Sequence, residues 1–207
     1  MNTLECIRER FASLLWSDNK SPCSRAEEYY DSLVDGDVEG TLCWADIDYS
    51  ISERAGCPAD LHQERIISML RFFGKQRLYD DKEYVDKLNR TIRFWLTHDF
   101  TNPNWWHNEI GRPMSYGNIA LMMFPFLYED VFNGLVKLVR NGSMAAKYDR
   151  ICGWTGANLI WGAINTIRHA LLTEDEELFS LAVHRAEQEI VIGNEDGIQQ
   201  DGCFFQH

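Results

Sequence analysis

Residues 102–113, NPNWWHNEIGRP, set two adjacent tryptophans, Trp105 and Trp106, among Asn, His, Glu and Arg rather than among aliphatic residues. Consecutive helical residues point about 100° apart, so the two indoles cannot share one narrow apolar face. One reading is a core tryptophan beside a half-exposed neighbour whose ring N–H needs a polar partner. The other is an aromatic platform on which a ligand stacks, with Asn104, His107 and Glu109 as polar neighbours. A second stretch, GWTGANLIWG, puts Asn158 in the first turn of a predicted helix, where backbone N–H groups and the helix dipole favour an anion such as a carboxylate. Asn158 either holds such a group there or only solvates the helix start. In a third stretch, EDGIQQDGCFFQH, Gly197 and Gly202 break the preceding helix. Phe204 and Phe205 can then anchor the turn in the core while Gln206 and His207 project outward. By itself a lone histidine at that position carries little chemical meaning.

The elements that must position these groups are helical. In DKEYVDKLNRTIRFWLTHDF the side chains of Val85, Leu88, Ile92 and Trp95 recur at intervals of three or four with charges between them, which predicts an amphipathic helix. Ile160, Ala163, Ile164, Ile167 and Leu171 predict a second, with Thr155 placed to cap it. Phe179, Val183, Ala186 and Ile190 mark a third, with acids in its first turn and Gly193 at its end. The link between the last two is short, as in an antiparallel helical hairpin. Further helices are predicted at about residues 2–16, 24–35, 61–75, 115–123 and 127–140, and strand signals are few. Successive hairpins of roughly 40 to 50 residues suggest an array in which each pair needs its neighbours.

The 207 residues suit one domain, or a piece of a larger one, and 45% hydrophobic content supports a sizeable core. With 20 Lys and Arg against 32 Asp and Glu, the formal charge of −12 argues against nonspecific binding to nucleic acid or anionic membrane. The apolar run IALMMFPFLY is too short to span a bilayer and is interrupted by Pro125. The first residues read as an amphipathic helix rather than a secretory signal. Six cysteines and six histidines are dispersed without metal-ligand or disulfide-framework spacing, so neither a metal site nor a cofactor is predicted.

Taken together, HDFTNPNWWHNEIGRP, TGANLIW and EDGIQQDGCFFQH, in that order and at these separations, resemble the N-terminal catalytic domain of the family-eight polysaccharide lyases, which include hyaluronate, chondroitin AC and xanthan lyases. The resemblance runs from about Trp44, through WADIDYS and LHQERI, to His207. It implies an all-α chain folded as an incomplete (α/α) toroid, a ring of helical hairpins with a long cleft. It also implies metal-free β-elimination on a uronic-acid-containing polysaccharide, an anionic partner. Asn158 matches the family asparagine that hydrogen-bonds the uronate carboxylate, and His207 matches the catalytic histidine. Asn104, Trp105 and Trp106 match the cleft residues that position the sugar chain.

Family members continue into a tyrosine just past the histidine, an arginine further on, the rest of the toroid and β-sandwich domains. The expectation is therefore a single truncated toroid domain over residues 1–207, inactive or nearly so by itself. Family members are typically secreted or held at the cell surface, and a cytoplasmic location stays open beside that.

Two features complicate the resemblance. An acidic chain needs a local basic patch to hold a polyanion, for which Arg54, Arg65 and Arg112 are available, although arginines on helices are more often paired. Cys152 stands where hyaluronate-type relatives carry an aromatic, and Trp154 is near enough to substitute. Two other functions compete. A glycoside hydrolase on a related toroid would need facing acids, for which Glu109 with Asp196 or Asp201 is the best pair. A noncatalytic carbohydrate-binding protein would keep only the tryptophan platform.

Overall fold

A computed structural model of the chain describes residues 3–17, 25–98, 100–143, 153–190, 192–193 and 197–205. Eight α-helices account for most of the described residues: α1 (Thr3–Ser17), α2 (Ala26–Asp31), α3 (Leu61–Asp80), α4 (Lys82–His98), α5 (Arg112–Met123), α6 (Glu129–Asn141), α7 (Gly156–Thr173) and α8 (Glu176–Glu189). The pairs α3/α4, α5/α6 and α7/α8 are successive hairpins. Helix α5 packs on α1, α3, α6 and α7, while α4 packs on α6, so alternate helices form two layers of an incomplete (α/α) toroid. One core runs through both layers, centred on Trp44, Ile66, Met69, Leu70, Tyr84, Ile92 and Tyr116, all fully buried.

The amphipathic pattern of α4 places Leu88, Ile92 and Trp95 inward as expected; Val85 is only half-buried against that core. The short α7/α8 link is also present, with Glu174 in a left-handed turn (φ 56°) and Asp175 capping α8 through the Leu178 N–H at 2.9 Å. Glycine is the usual occupant of such a turn. Here the Glu174 carboxylate accepts from Arg8 Nη1 at 2.9 Å, and the same Nη1 reaches the Leu171 carbonyl at 3.2 Å. Helix α1 is thereby pinned across the end of α7.

Several expected boundaries move. The helix read over 24–35 is only α2, followed by strand β1 (Leu33–Asp35), which pairs antiparallel with β2 (Leu42–Trp44), Leu33 opposite Trp44. Arg90 and Arg93 on α4 hold this hairpin, Arg90 on Asp35 at 2.9 Å and Arg93 on the Gly40 carbonyl at 3.3 Å. Helix α3 runs past residue 75 because Gly74 (φ 74°) bends it without ending it. Helix α8 stops at Glu189, before Gly193, which instead lies in β3 (Ile192–Gly193). That strand pairs in parallel with β4 (Gly197–Gln199), which pairs antiparallel with β5 (Phe204–Phe205). Gly197 and Gly202 therefore shape a small sheet rather than break a helix, Gly202 at φ 84° in the β4–β5 turn. Cys6, Cys43, Cys57 and Cys203 are free thiols, and Cys23 and Cys152 lie outside the described residues.

His62, fully buried on α3, fixes the β2–α4 junction. Its Nε2 lies 2.9 Å from the Thr91 carbonyl, which can only accept, so Nε2 carries the hydrogen and Nδ1 accepts from the Tyr49 hydroxyl at 2.9 Å. Burial pushes its pKa down to about 3 from an ordinary 6.5. The ring stays neutral in the fold and charges in the unfolded chain. Stability from this site is thus complete above pH 6.5 and declines as pH falls toward 3. Urea unfolding should show a loss of about 2 kcal/mol between pH 6.5 and pH 5, at roughly 1.4 kcal/mol per pH unit. His169, whose pKa burial also lowers, would steepen the decline. A flat profile over that interval would contradict the neutral assignment.

Candidate active-site cleft

The tryptophan segment begins with a self-capping loop. Asn102 and Asn108 bond reciprocally, Asn102 N–H to Asn108 Oδ1 at 2.9 Å and Asn108 Nδ2 to the Asn102 carbonyl at 2.6 Å. Asn102 Oδ1 accepts the Asn104 N–H at 2.8 Å, and Asn104 Oδ1 accepts the Trp106 N–H at 3.2 Å, starting the helix that carries both indoles. Asn104 is therefore a cap as well as a half-buried polar group.

Residues 107–111 then open into a π turn, His107–Gly111, before α5 continues. Pro113 has no N–H to give the Glu109 carbonyl, and an extra residue in the turn accommodates that gap. The widened turn is held from outside: Asn165 on α7, fully buried, donates from Nδ2 to the Ile110 carbonyl at 3.1 Å. Its Oδ1 accepts from Arg168 Nη1 at 3.2 Å, and Arg168 Nε reaches Asn118 on α5 at 2.8 Å.

The two indoles separate as the 100° argument requires. Trp106 is half-buried against Gly111, where an added Cβ would sit 2.7 Å from Cζ3, and meets Trp161 edge-on at 5.6 Å between ring centroids. Trp105 is 43% exposed and lies 5.7 Å from the ring of Trp154. Trp154 and Trp161 bracket Asn158 in sequence, four residues before and three after it. Their two ring contacts bring the start of α7 against the tryptophan segment, so Asn104, Trp105, Trp106 and Asn158 share one region. Trp161 was not among the residues singled out from sequence; its spacing of three from Asn158 was the available signal.

Asn158 is half-buried in the first turn of α7, and its carboxamide has no partner among the described residues. Thr155 occupies the cap position with no side-chain cap bond. The first N–H of the helix, that of Gly156, goes instead to Glu189 Oε1 at 2.5 Å, and Arg185 holds the other Glu189 oxygen at 3.2 Å. An internal carboxylate already meets part of the positive end of the dipole, leaving the Asn158 side chain as the open donor there.

His207 and Asp196 lie outside the described residues. Asp201 is exposed and bonds the Cys203 N–H in the β4–β5 turn. Two of the three arginines considered for a basic patch are locked. Arg65 is buried and bidentate on Asp46 at 2.7 and 2.6 Å. Arg112 is buried and bonds Asp60 at 2.8 Å, the Phe100 carbonyl at 2.7 Å and Asn108 Oδ1 at 3.0 Å. Arg54 lies in an exposed turn. Among the described residues, no three His, Cys, Asp or Glu side chains gather to hold a metal ion, and no helix is long and apolar enough to cross a membrane.

Residues 10–207 match the model of the N-terminal α-helical domain of polysaccharide lyase family 8. The chain is 26% identical over 170 residues to a chondroitinase AC of Pedobacter heparinus, covering 79% of this chain and 23% of that protein. It is 29% identical over 107 residues to a xanthan lyase of a Bacillus species, covering 50% of this chain and 11% of that one. Among solved structures, a chondroitinase AC lyase studied with oligosaccharides superposes with TM-score 0.80 at 25% identity, over 99% of this chain and 30% of that one. A Paenibacillus xanthan lyase superposes with TM-score 0.76 at 18% identity, over 99% of this chain and 21% of that one, a likeness of fold. The chain thus spans about a quarter or less of the curated relatives it matches.

Two substitutions test the geometry. Gly111→Ala should displace Trp106, costing about 1–3 kcal/mol by overpacking and altering the near-ultraviolet circular dichroism of the indoles. Arg112→Leu leaves the partly buried Asp60 carboxylate without its guanidinium and should cost about 3–5 kcal/mol in urea unfolding.

Proposed function

Since the chain belongs to polysaccharide lyase family 8, matching its N-terminal α-helical domain, we propose that it is the catalytic helical domain of an enzyme that cleaves uronic-acid-containing polysaccharide by β-elimination. The observation that carries this reading is the meeting of Trp105 and Trp106 with Trp154 and Trp161, the residues that bracket Asn158. An exposed indole on the segment that packs against the helix start carrying the uncommitted Asn158 carboxamide suits a pyranose ring that carries a carboxylate.

The chemistry assigns each group a task. Removing the C5 proton next to an ionised carboxylate adds charge to an anion, so a donor at that carboxylate stabilises the charge as it develops. Asn158 is that donor. A base takes the C5 proton, the C4–O4 bond breaks, a C4=C5 double bond forms and an acid returns a proton to the departing O4 oxygen. His207 is one of these proton-transfer groups, and the family's downstream tyrosine and arginine supply the others. Trp105 stacks on an apolar sugar face and sets the register of the chain, with Asn104 beside it and Trp106 holding the platform from behind. The rest of the toroid and β-sandwich domains complete the cleft in the full-length protein. The chondroitin and xanthan lyases among the relatives point to an anionic polysaccharide as substrate.

The full-length gene product should release unsaturated uronate, seen as new ultraviolet absorbance, from chondroitin, hyaluronan or xanthan. Residues 1–207 produced alone should release none. Asn158→Ala should lower kcat at least 100-fold, on the scale of losing one donor at a developing oxyanion. Trp105→Ala should mainly raise KM, by about tenfold. New reducing ends without absorbance would mean hydrolysis and overturn the lyase reading.

A further inference from the structure

We propose that Glu189, the last residue of α8, is a positioning residue for Asn158: its carboxylate latches the start of α7 to α8 and so holds the asparagine where the uronate carboxylate is met. This deepens the lyase reading above and rests on it. Glu189 Oε1 accepts the Gly156 N–H at 2.5 Å, and Oε2 accepts from Arg185 Nη1, one turn earlier on α8, at 3.2 Å. Asn158 lies two residues past Gly156, in the same first turn of α7. The bond that fixes Gly156 therefore fixes the backbone from which the Asn158 carboxamide projects. Because α7 and α8 join at Glu174 and Asp175, the start of α7 and the end of α8 form the open end of their hairpin, and Glu189 closes it.

The placement of this acid makes sense from α7 and not from α8. An acid in the last turn of a helix faces the negative end of that helix's own dipole, and α8 has no basic residue in its last turn to offset it. The same carboxylate is favourable at the positive end of α7. The start of α7 also lacks the usual local hold. Thr155 makes no side-chain cap bond, and Gly156, entering the helix at φ 55°, has no side chain with which to anchor the turn. The latch is enclosed as well, the side chains of Arg185 and Glu189 being 16% and 15% exposed, which limits screening by water and salt. A donor that stabilises charge developing in the transition state has to be in place beforehand, and a displacement of about 1 Å costs up to about 100-fold in rate.

Steady-state kinetics of the full-length enzyme, on whichever of chondroitin, hyaluronan and xanthan it depolymerises, test the latch. Glu189→Ala should lower kcat about tenfold or more with KM within about threefold of wild type, because Asn158 acts on charge that develops only in the transition state. Glu189→Gln keeps an accepting oxygen at the same reach and should hold kcat within about threefold of wild type. Glu189→Asp keeps the charge but falls one methylene short, and should be as slow as Glu189→Ala. In the Asn158→Ala background, adding Glu189→Ala should change kcat by less than about twofold, since the latch acts through the side chain already removed. The Gln and Asp variants carry the comparison even where the Ala variant loses its fold. An Asp variant as fast as wild type, a Gln variant as slow as Asp, or a full further loss in the Asn158→Ala background overturns the Glu189 assignment and leaves the lyase reading intact. Absence of unsaturated product from all three polysaccharides with the wild-type enzyme overturns the lyase reading and this one with it.

Discussion

A guanidinium buried at the start of α5 sets the terms for everything around it. Arg112 cannot be desolvated alone, so the chain surrounds it with the Asp60 carboxylate, the Phe100 carbonyl, the Asn108 amide oxygen and the Cys57 sulfur, with the Trp95 ring 5.1 Å away. Those partners come from the start of α3, the loop after α4 and the π turn. Satisfying one charge therefore fixes how three segments approach one another, and the loop that carries Asn104 and the tryptophans has little freedom left. Its asparagines complete the arrangement by closing the loop on itself.

The second support comes from α7. Asn165 and Arg168 link the Ile110 carbonyl to Asn118 through a buried chain of side-chain bonds. Gly142, after α6, completes the enclosure: a Cβ there would lie 2.8 Å from the Glu109 carbonyl and 2.9 Å from Asn165 Nδ2. The π turn is thus packed from α7 and from the end of α6, while its partners through Arg112 lie toward α3. Trp106 belongs to that interior, and Trp105 is what the interior presents to the outside.

Much of this was legible in the sequence because it follows from periodicity. The stripe through Leu88, Ile92 and Trp95 and the divergence of Trp105 from Trp106 depend on about 100° per residue and little else, and the acids Glu176 and Glu177 at the start of α8 on the helix dipole. The remainder depended on distant partners. Thr155 stood where a cap is expected, but Glu189, 33 residues on, reaches Gly156 first. Arg65 and Arg112 looked available for a polyanion because Asp46 and Asp60, their partners, lie 19 and 52 residues away. Gly193 resembled a helix stop, yet strand pairing opposite Gln199 claims it. The family motifs drew attention to the tryptophan segment and the start of α7 without showing that Trp161 would pack on Trp106, since a tryptophan at helical spacing reads equally well as core.

The clasp between Arg8 and the end of α7 joins residues separated by 163 and 166 positions. Helix α1 is synthesised before the elements it packs on: α3 and α5 follow within the first 123 residues, and the end of α7 comes later. At about 5–20 residues per second, roughly 8 to 33 seconds separate Arg8 from the carbonyl and carboxylate that it binds at the end of α7. The clasp therefore closes only once α7 is complete, later than the packing of α1 on α3 and α5 can begin.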